Sequence, residues 1–180
     1  MPERPRRLSH VDLSGKARMV DVAGKPATFR EAEAEGRVAL GARAFRLVRA
    51  NRVAKGDVLG VARIAGIQAA KRTSEWIPLC HPVPLENVEI GFRLEPRRKT
   101  IVITARAAAR WSTGVEMEAM TAVAAAALAI YDMCKGVERA MEIGGIRLLL
   151  KRGGRSGEFR RLQREGGGPA LTRTSRVASR

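Results

Sequence analysis

Apolar and polar positions along this chain recur with two different periods. From Gly56 to Thr73 (GDVLGVARIAGIQAAKRT), Val58, Val61, Ala62, Ala65, Ala69 and Ala70 fall on one stripe, which predicts an amphipathic helix. The segment Gly41–Arg52 also has helical spacing, with Phe45, Leu47 and Val48 as its apolar positions. Between Val88 and Ala107 the period shortens to two. Val88, Ile90, Phe92 and Leu94 alternate with Glu89, Gly91, Arg93 and Glu95, then PRRK turns the chain, and Ile101, Ile103, Ala105 and Ala107 alternate again. That pattern predicts a hairpin with one buried face.

Two further strands are expected at ARMVDV (Ala17–Val22) and at TFREAEAEGRVAL (Thr28–Leu40), the second with a charged face. A long helix is expected from about Val115 to Lys135, then a short helical piece, then a strand near Ile146–Leu150. Helices alternating with strands around a central hairpin give an α+β class: an antiparallel sheet with helices packed on one face.

Composition refines this picture in three ways. Aromatic residues are only 4% of the 180, so the core has to be aliphatic and alanine-rich. The net charge of +16 suggests an anionic partner, yet much of it sits at the ends. Residues 1–10 carry +2 and residues 151–180 carry +7, leaving +7 for the middle. Residues 1–9 and 160–180 read as flexible basic tails flanking one domain at 10–159. Few aromatics argue against base stacking, so no nucleic-acid partner is expected. Two cysteines make no disulfide framework, and neither a signal peptide nor an apolar run of about 20 residues is present. A cytoplasmic location with no membrane partner is expected.

Candidate chemistry concentrates in four places. WIPLCHP (Trp76–Pro82) sets Cys80 beside His81 between prolines. Zinc would need three or four ligands, and only Cys134 and His10 remain as further Cys or His, so no metal is expected here. Adjacent residues also seldom bring sulfur and imidazole into hydrogen-bond reach, which weakens a nucleophile–base pair. A rigid presenting loop fits best. In STGVEME, Thr113-x-x-Glu116 fits a helix capping box, whereas Glu118 points to another face and needs a separate explanation. At the far end of the same helix, Asp132 and Lys135 lie three apart, as an exposed ion pair or as an acid–base pair. Fourteen residues separate Glu118 from Asp132, roughly 21 Å on an unbroken helix, too far for one small-molecule site in one chain. Lys55, Lys71 and Lys151 are surface charges or phosphate contacts; KRGGRSGEF is glycine-rich and basic but lacks P-loop spacing.

Together, ARMVDV, KGDVLGVARIAGIQAAKRTSEWIPLCHPVPL, TGVEMEAMTAV, IYDMCKGV and IRLLLKRGGRSGEF resemble the molybdenum cofactor biosynthesis protein C family, the cyclic pyranopterin monophosphate synthases. The resemblance spans about His10 to Phe159. It implies a ferredoxin-like fold and a homohexamer of three dimers with active sites between subunits. It also implies conversion of 3′,8-cyclo-7,8-dihydroguanosine 5′-triphosphate to cyclic pyranopterin monophosphate with release of pyrophosphate. By position it makes Asp132, Lys135 and Lys55 catalytic, and it puts Leu79, Cys80, His81, Glu116, Met117 and Glu118 against the substrate. Lys71, Lys151 and Arg30 match further basic positions. No cofactor is required, although magnesium could assist pyrophosphate release. Departures fall at Trp111, Ser112 and Arg155.

Overall fold

In the computed structural model, which describes residues 15–162, the charged alternation of TFREAEAEGRVAL becomes strand β1 (Thr28–Ala39). Ala32, Ala34 and Val38 are fully buried on one side. Gly36 lies on that side too, where an added Cβ would sit 2.5 Å from Val123. The opposite side carries Glu31 and Glu35, also buried, because arginines from the neighbouring strands and Arg37 of β1 itself fold over them. Arg106 and Arg152 pair with Glu31, and Arg147 and Arg37 pair with Glu35.

The expected hairpin is present as β2 (Asn87–Glu95) and β3 (Thr100–Trp111). Its register pairs Ile90 with Ala105 and Phe92 with Ile103. Ile101 and Ile103 are fully buried, each contributing about 1.5–3 kcal/mol of apolar transfer. The sheet is covered on more than one face, however: Val102 and Ala108, which point the other way along β3, are buried too. Strand β4 (Glu142–Arg152) completes the central four, and β5 (Phe159–Arg160) adds a two-residue edge. The order is β2-β3-β1-β4-β5, and neighbouring strands run antiparallel throughout. With helical segments between β1 and β2 and between β3 and β4, that order is the split βαβ arrangement of ferredoxin-like folds.

Among the described residues, four helices complete the architecture: α1 (Ala42–Arg49), α2 (Val58–Lys71), α3 (Thr73–Trp76) and α4 (Glu116–Cys134). Asp57 starts α2 as its N-cap, accepting from Gly60 N at 2.9 Å. Helix α4 packs against α2 and against the sheet, burying Ala119, Ala122, Val123, Ala126, Ala127 and Ile130, while α2 also meets β2 directly at Ile90. It is long and apolar enough to cross a membrane by length and composition, and its burial in this core accounts for that character. Helices α2 and α4 cross closely because Gly66 faces Ala122 and Ala126, with Ala122 O only 2.8 Å from where a Cβ would be.

Several expectations change. ARMVDV forms no strand, only an isolated bridge at Ala17. Val61, assigned to the buried stripe of α2, is 46% exposed, while Gly66 is buried instead. Residues 135–140 form a turn rather than a helical piece. The N-terminal tail expected at residues 1–9 lies outside the described residues. So does the C-terminal tail apart from residues 160–162, among which Arg160 pairs in β5 and Arg161 N donates to Leu149 O.

Candidate active site

Helix α4 opens without a side-chain cap. Its N-cap is Val115, so Thr113 lies outside the helix and the capping box does not form. Glu116 instead turns back over Gly114, where an added Cβ would collide with its carboxylate. Glu118 is 4% exposed. Despite their i, i+2 spacing, Glu116 and Glu118 both reach one cavity of about 340 Å³. Leu79, Cys80 and His81 form its opposite wall, carried by the proline-flanked loop after α3, in which Cys80 N donates to Ile77 O. Met117 is there as well. All six expected substrate-facing residues therefore meet in one place.

Burial dominates the electrostatics here. It pushes the Glu118 carboxyl up to about 7, helped by neighbouring Glu116, against a backbone hydrogen bond that favours the charged form. Burial, then Glu118 and Glu116, also raise the Cys80 thiol, which makes it a poor nucleophile.

A larger cleft of about 1080 Å³ adjoins this cavity, sharing Lys25, Thr113, Gly114 and Glu116 with it. Arg30 and Lys151 line it. Arg30 is fixed by donating to the carbonyls of Trp111 (3.2 Å) and Ser112 (3.4 Å). Lys151 meets the Ser156 hydroxyl. Gly153 and Gly154 have φ of +88° and +77°, and a Cβ on either would strike Phe29 O or the Arg30 guanidinium. The glycine-rich KRGGRSGEF thus closes tightly over Arg30. Lys71 lines neither cavity; it sits exposed at the end of α2.

The remaining three residues meet elsewhere. At the far end of α4, Lys55 Nζ donates to Asp132 Oδ2 at 3.0 Å and to its backbone carbonyl at 2.9 Å. Lys135 Nζ holds the other carboxylate oxygen at 2.7 Å. The Lys135 and Lys55 hydrogen bonds lower the Asp132 pKa, and Asp132 in turn raises that of Lys135. All three side chains are about half exposed, so this is an open, charged end of the molecule. Since α4 is unbroken from Glu116 to Cys134, the two groups of residues stay a helix length apart within the chain.

Sequence reasoning missed Lys25, Val20 and Val22, which complete the smaller cavity. The signal for Val20 and Val22 is present in ARMVDV, whose alternation predicts a strand; Lys25 lies beyond it. Thr113 was also misassigned, as a cap instead of a wall. Among the described residues, no three His, Cys, Asp or Glu side chains gather as metal ligands.

Known proteins share this arrangement of sequence. The MoaC family model matches residues 19–154. A cyclic pyranopterin monophosphate synthase of Thermomicrobium roseum is 58% identical over 154 residues, covering 86% of this chain and 93% of that protein. One from Pelotomaculum thermopropionicum is 54% identical over 154 residues, covering 86% and 91%. One from Chloroflexus aurantiacus is 51% identical over 161 residues, covering 89% and 99%. The match runs from the segment before β1 through the glycines that close over Arg30, taking in both ends of α4, and the chain belongs to the MoaC family.

Proposed function

We propose that this protein is a cyclic pyranopterin monophosphate synthase, converting 3′,8-cyclo-7,8-dihydroguanosine 5′-triphosphate to cyclic pyranopterin monophosphate and pyrophosphate in molybdenum cofactor biosynthesis. The names of its relatives support the reaction. The observation that carries the residue assignment is Asp132 clamped between Lys55 and Lys135. A carboxylate kept ionised beside two ammonium groups is equipped to exchange protons during purine-ring opening and pterin closure. Phosphate closure then proceeds by attack of a sugar hydroxyl on the α-phosphorus. The bond to the β-phosphate oxygen breaks, and cationic side chains neutralise the departing pyrophosphate. Lys151 and Arg30 supply cations in the larger cleft, and Lys71, which lines neither cavity of its own chain, is a further phosphate contact offered by a neighbouring copy. Leu79, Cys80, His81, Glu116, Met117 and Glu118 hold the base-derived rings. We propose no resident metal, with magnesium only as a companion of pyrophosphate.

The active site of this reading is shared between two copies. Lys55, Asp132 and Lys135 of one chain complete the cavity of another, in a homohexamer of three dimers. Two observations support sharing. The half-sites occupy opposite ends of α4, and the outer surface between them exposes Val61, Ile64 and Leu128 at 46–56%. A two-fold axis through that apolar stretch would bring each end of one chain to the opposite end of its partner, making two sites per dimer. The substrate is a small molecule, and the setting proposed is the cytoplasm.

The test is an anaerobic assay of purified protein with the cyclised triphosphate, following pyrophosphate. Asp132→Asn and Lys55→Ala are expected to keep the elution volume and circular dichroism of the parent while making no product. Near-parental turnover by either variant would sink the assignment.

A further inference from the structure

The end of the molecule that carries Lys55 also carries a run of cations with no role in the reading above. Helix α1 buries Ala44, Phe45 and Val48 and turns Arg43, Arg46 and Arg49 outward. It contains no acidic residue. Arg52 follows, exposed, in the short stretch that leads to Lys55. The β2–β3 turn adds Arg97, Arg98 and Lys99, all exposed. That turn lies against the start of α1, since Leu40 N donates to Lys99 O at 2.9 Å. The cations therefore form a band from the hairpin tip, along α1, to Lys55.

What separates this band from the rest of the basic surface is the absence of counter-charges. On the sheet, arginines 106, 147 and 152 each pair with a buried glutamate. Among the described residues, neither the four arginines of residues 43–52 nor the three cations of the turn form an ion pair. Most nearby acids are already engaged, although Glu142, opposite Ala39 in the sheet, is exposed and forms no ion pair among the described residues. Asp132 is held by two lysines, Asp57 caps α2, and Glu138 packs on Gly41 and accepts from Ala140 N. A band of one sign, open to water and ending at a half-site, sets up a field that concentrates ions of the other sign there.

We infer that Arg43, Arg46, Arg49 and Arg52, with the 97–99 turn, form an electrostatic approach path that gathers a polyanionic triphosphate at the Lys55–Asp132–Lys135 end. The inference rests on the proposed function for the identity of the substrate. It assigns these arginines no contact with reacting atoms. They raise the local concentration of a multiply charged anion, so their effect depends on charge and distance and is screened by salt. At about 0.15 M ionic strength the screening length is about 8 Å, whereas at 0.01 M it is about 30 Å and reaches the whole of α1.

The experiment compares the full-length protein with R43Q/R46Q/R49Q and R43K/R46K/R49K, from low ionic strength to about 0.5 M. At low salt the glutamine variant is expected to lose about three- to tenfold in kcat/KM at unchanged kcat. The loss closes as salt rises, and the lysine variant behaves as the parent. Equal kcat/KM and equal salt dependence in parent and glutamine variant would overturn the path. So would a fall in kcat, or a lysine variant as weak as the glutamine one. Calorimetric binding of GTP over the same salt range, with R46Q as a milder variant should the triple one misfold, decides the point without turnover. Salt-dependent weakening in the glutamine variants supports the path; identical affinities refute it. A parent that binds GTP in this way yet makes no product would leave the path standing and remove the proposed reaction.

Discussion

Glu118 is a carboxyl whose surroundings favour its neutral form, and that preference has a sign that can be checked. Its folded pKa of about 7 lies above the usual carboxylate value, so between the two the folded protein binds more protons than the unfolded chain. Its contribution to stability is therefore fullest at acidic pH and is lost as pH rises through 7. Glu118→Gln keeps the shape without the charge. It should raise Tm at pH 8 relative to the parent, by the equivalent of about 1–3 kcal/mol, and leave Tm near pH 5 little changed. Thermal melts at both pH values read this directly, and a parallel shift at both would contradict it. The neighbouring Cys80 and His81 divide differently. With its thiol pushed up by burial and two glutamates, Cys80 serves as wall, so Cys80→Ser should retain most turnover. His81→Ala, which strips the cavity of its imidazole, should lose at least about tenfold. Steady-state rates with the reverse order would make the thiol the reactive group.

Among the elements, the α2–α4 crossing depends on the missing side chain at Gly66. Gly66→Val would drive methyl groups into Ile90 and the Ala122 carbonyl, and overpacking of this kind costs about 1–3 kcal/mol. Denaturant unfolding should show that loss as a lower midpoint at unchanged slope. How far each element could be read in advance follows from what specified it. Strands β1 to β3 were legible because their alternation persists over many residues, and helix α4 because Ala119 to Tyr131 carry no charge. ARMVDV misled because Val20 and Val22 spend their alternation on walling a cavity, with no strand to pair with. Thr113 misled because a capping box is a local rule, and here the chain starts its helix two residues later than that rule requires. β5 has only two residues, too few to carry a period. Lys25 was invisible because a lone lysine in a loop gains meaning only when the fold sets it between two cavities.

Across the whole molecule, charge is distributed by function of surface. The sheet buries glutamates under arginines, the larger cleft gathers Arg30, Lys151, Lys25 and Arg155, and the α1 end leaves its arginines unpaired. The net charge of +16 is thus a sum of separate fields. The sequence places Asp132 and Lys135 at one end of a helix and Glu116, Met117 and Glu118 at the other, and their separation, read from residue count, holds because α4 is continuous.

That continuity has a genetic consequence. If each working site borrows one end of α4 from each of two chains, damage at the two ends is borne by different sites in a mixed assembly. Asp132→Asn and His81→Ala proteins, each severely impaired alone, should recover activity when unfolded together and refolded as a mixture. In a random pairing half the dimers are mixed and each of those holds one intact site, so the ceiling is about a quarter of parental activity. Mixing two variants of the same end, Asp132→Asn with Lys55→Ala, should recover nothing, because every site then carries a lesion. Complementation between defects in a single gene, confined to pairs from opposite ends of one helix, would be the visible trace of a ruler nineteen residues long.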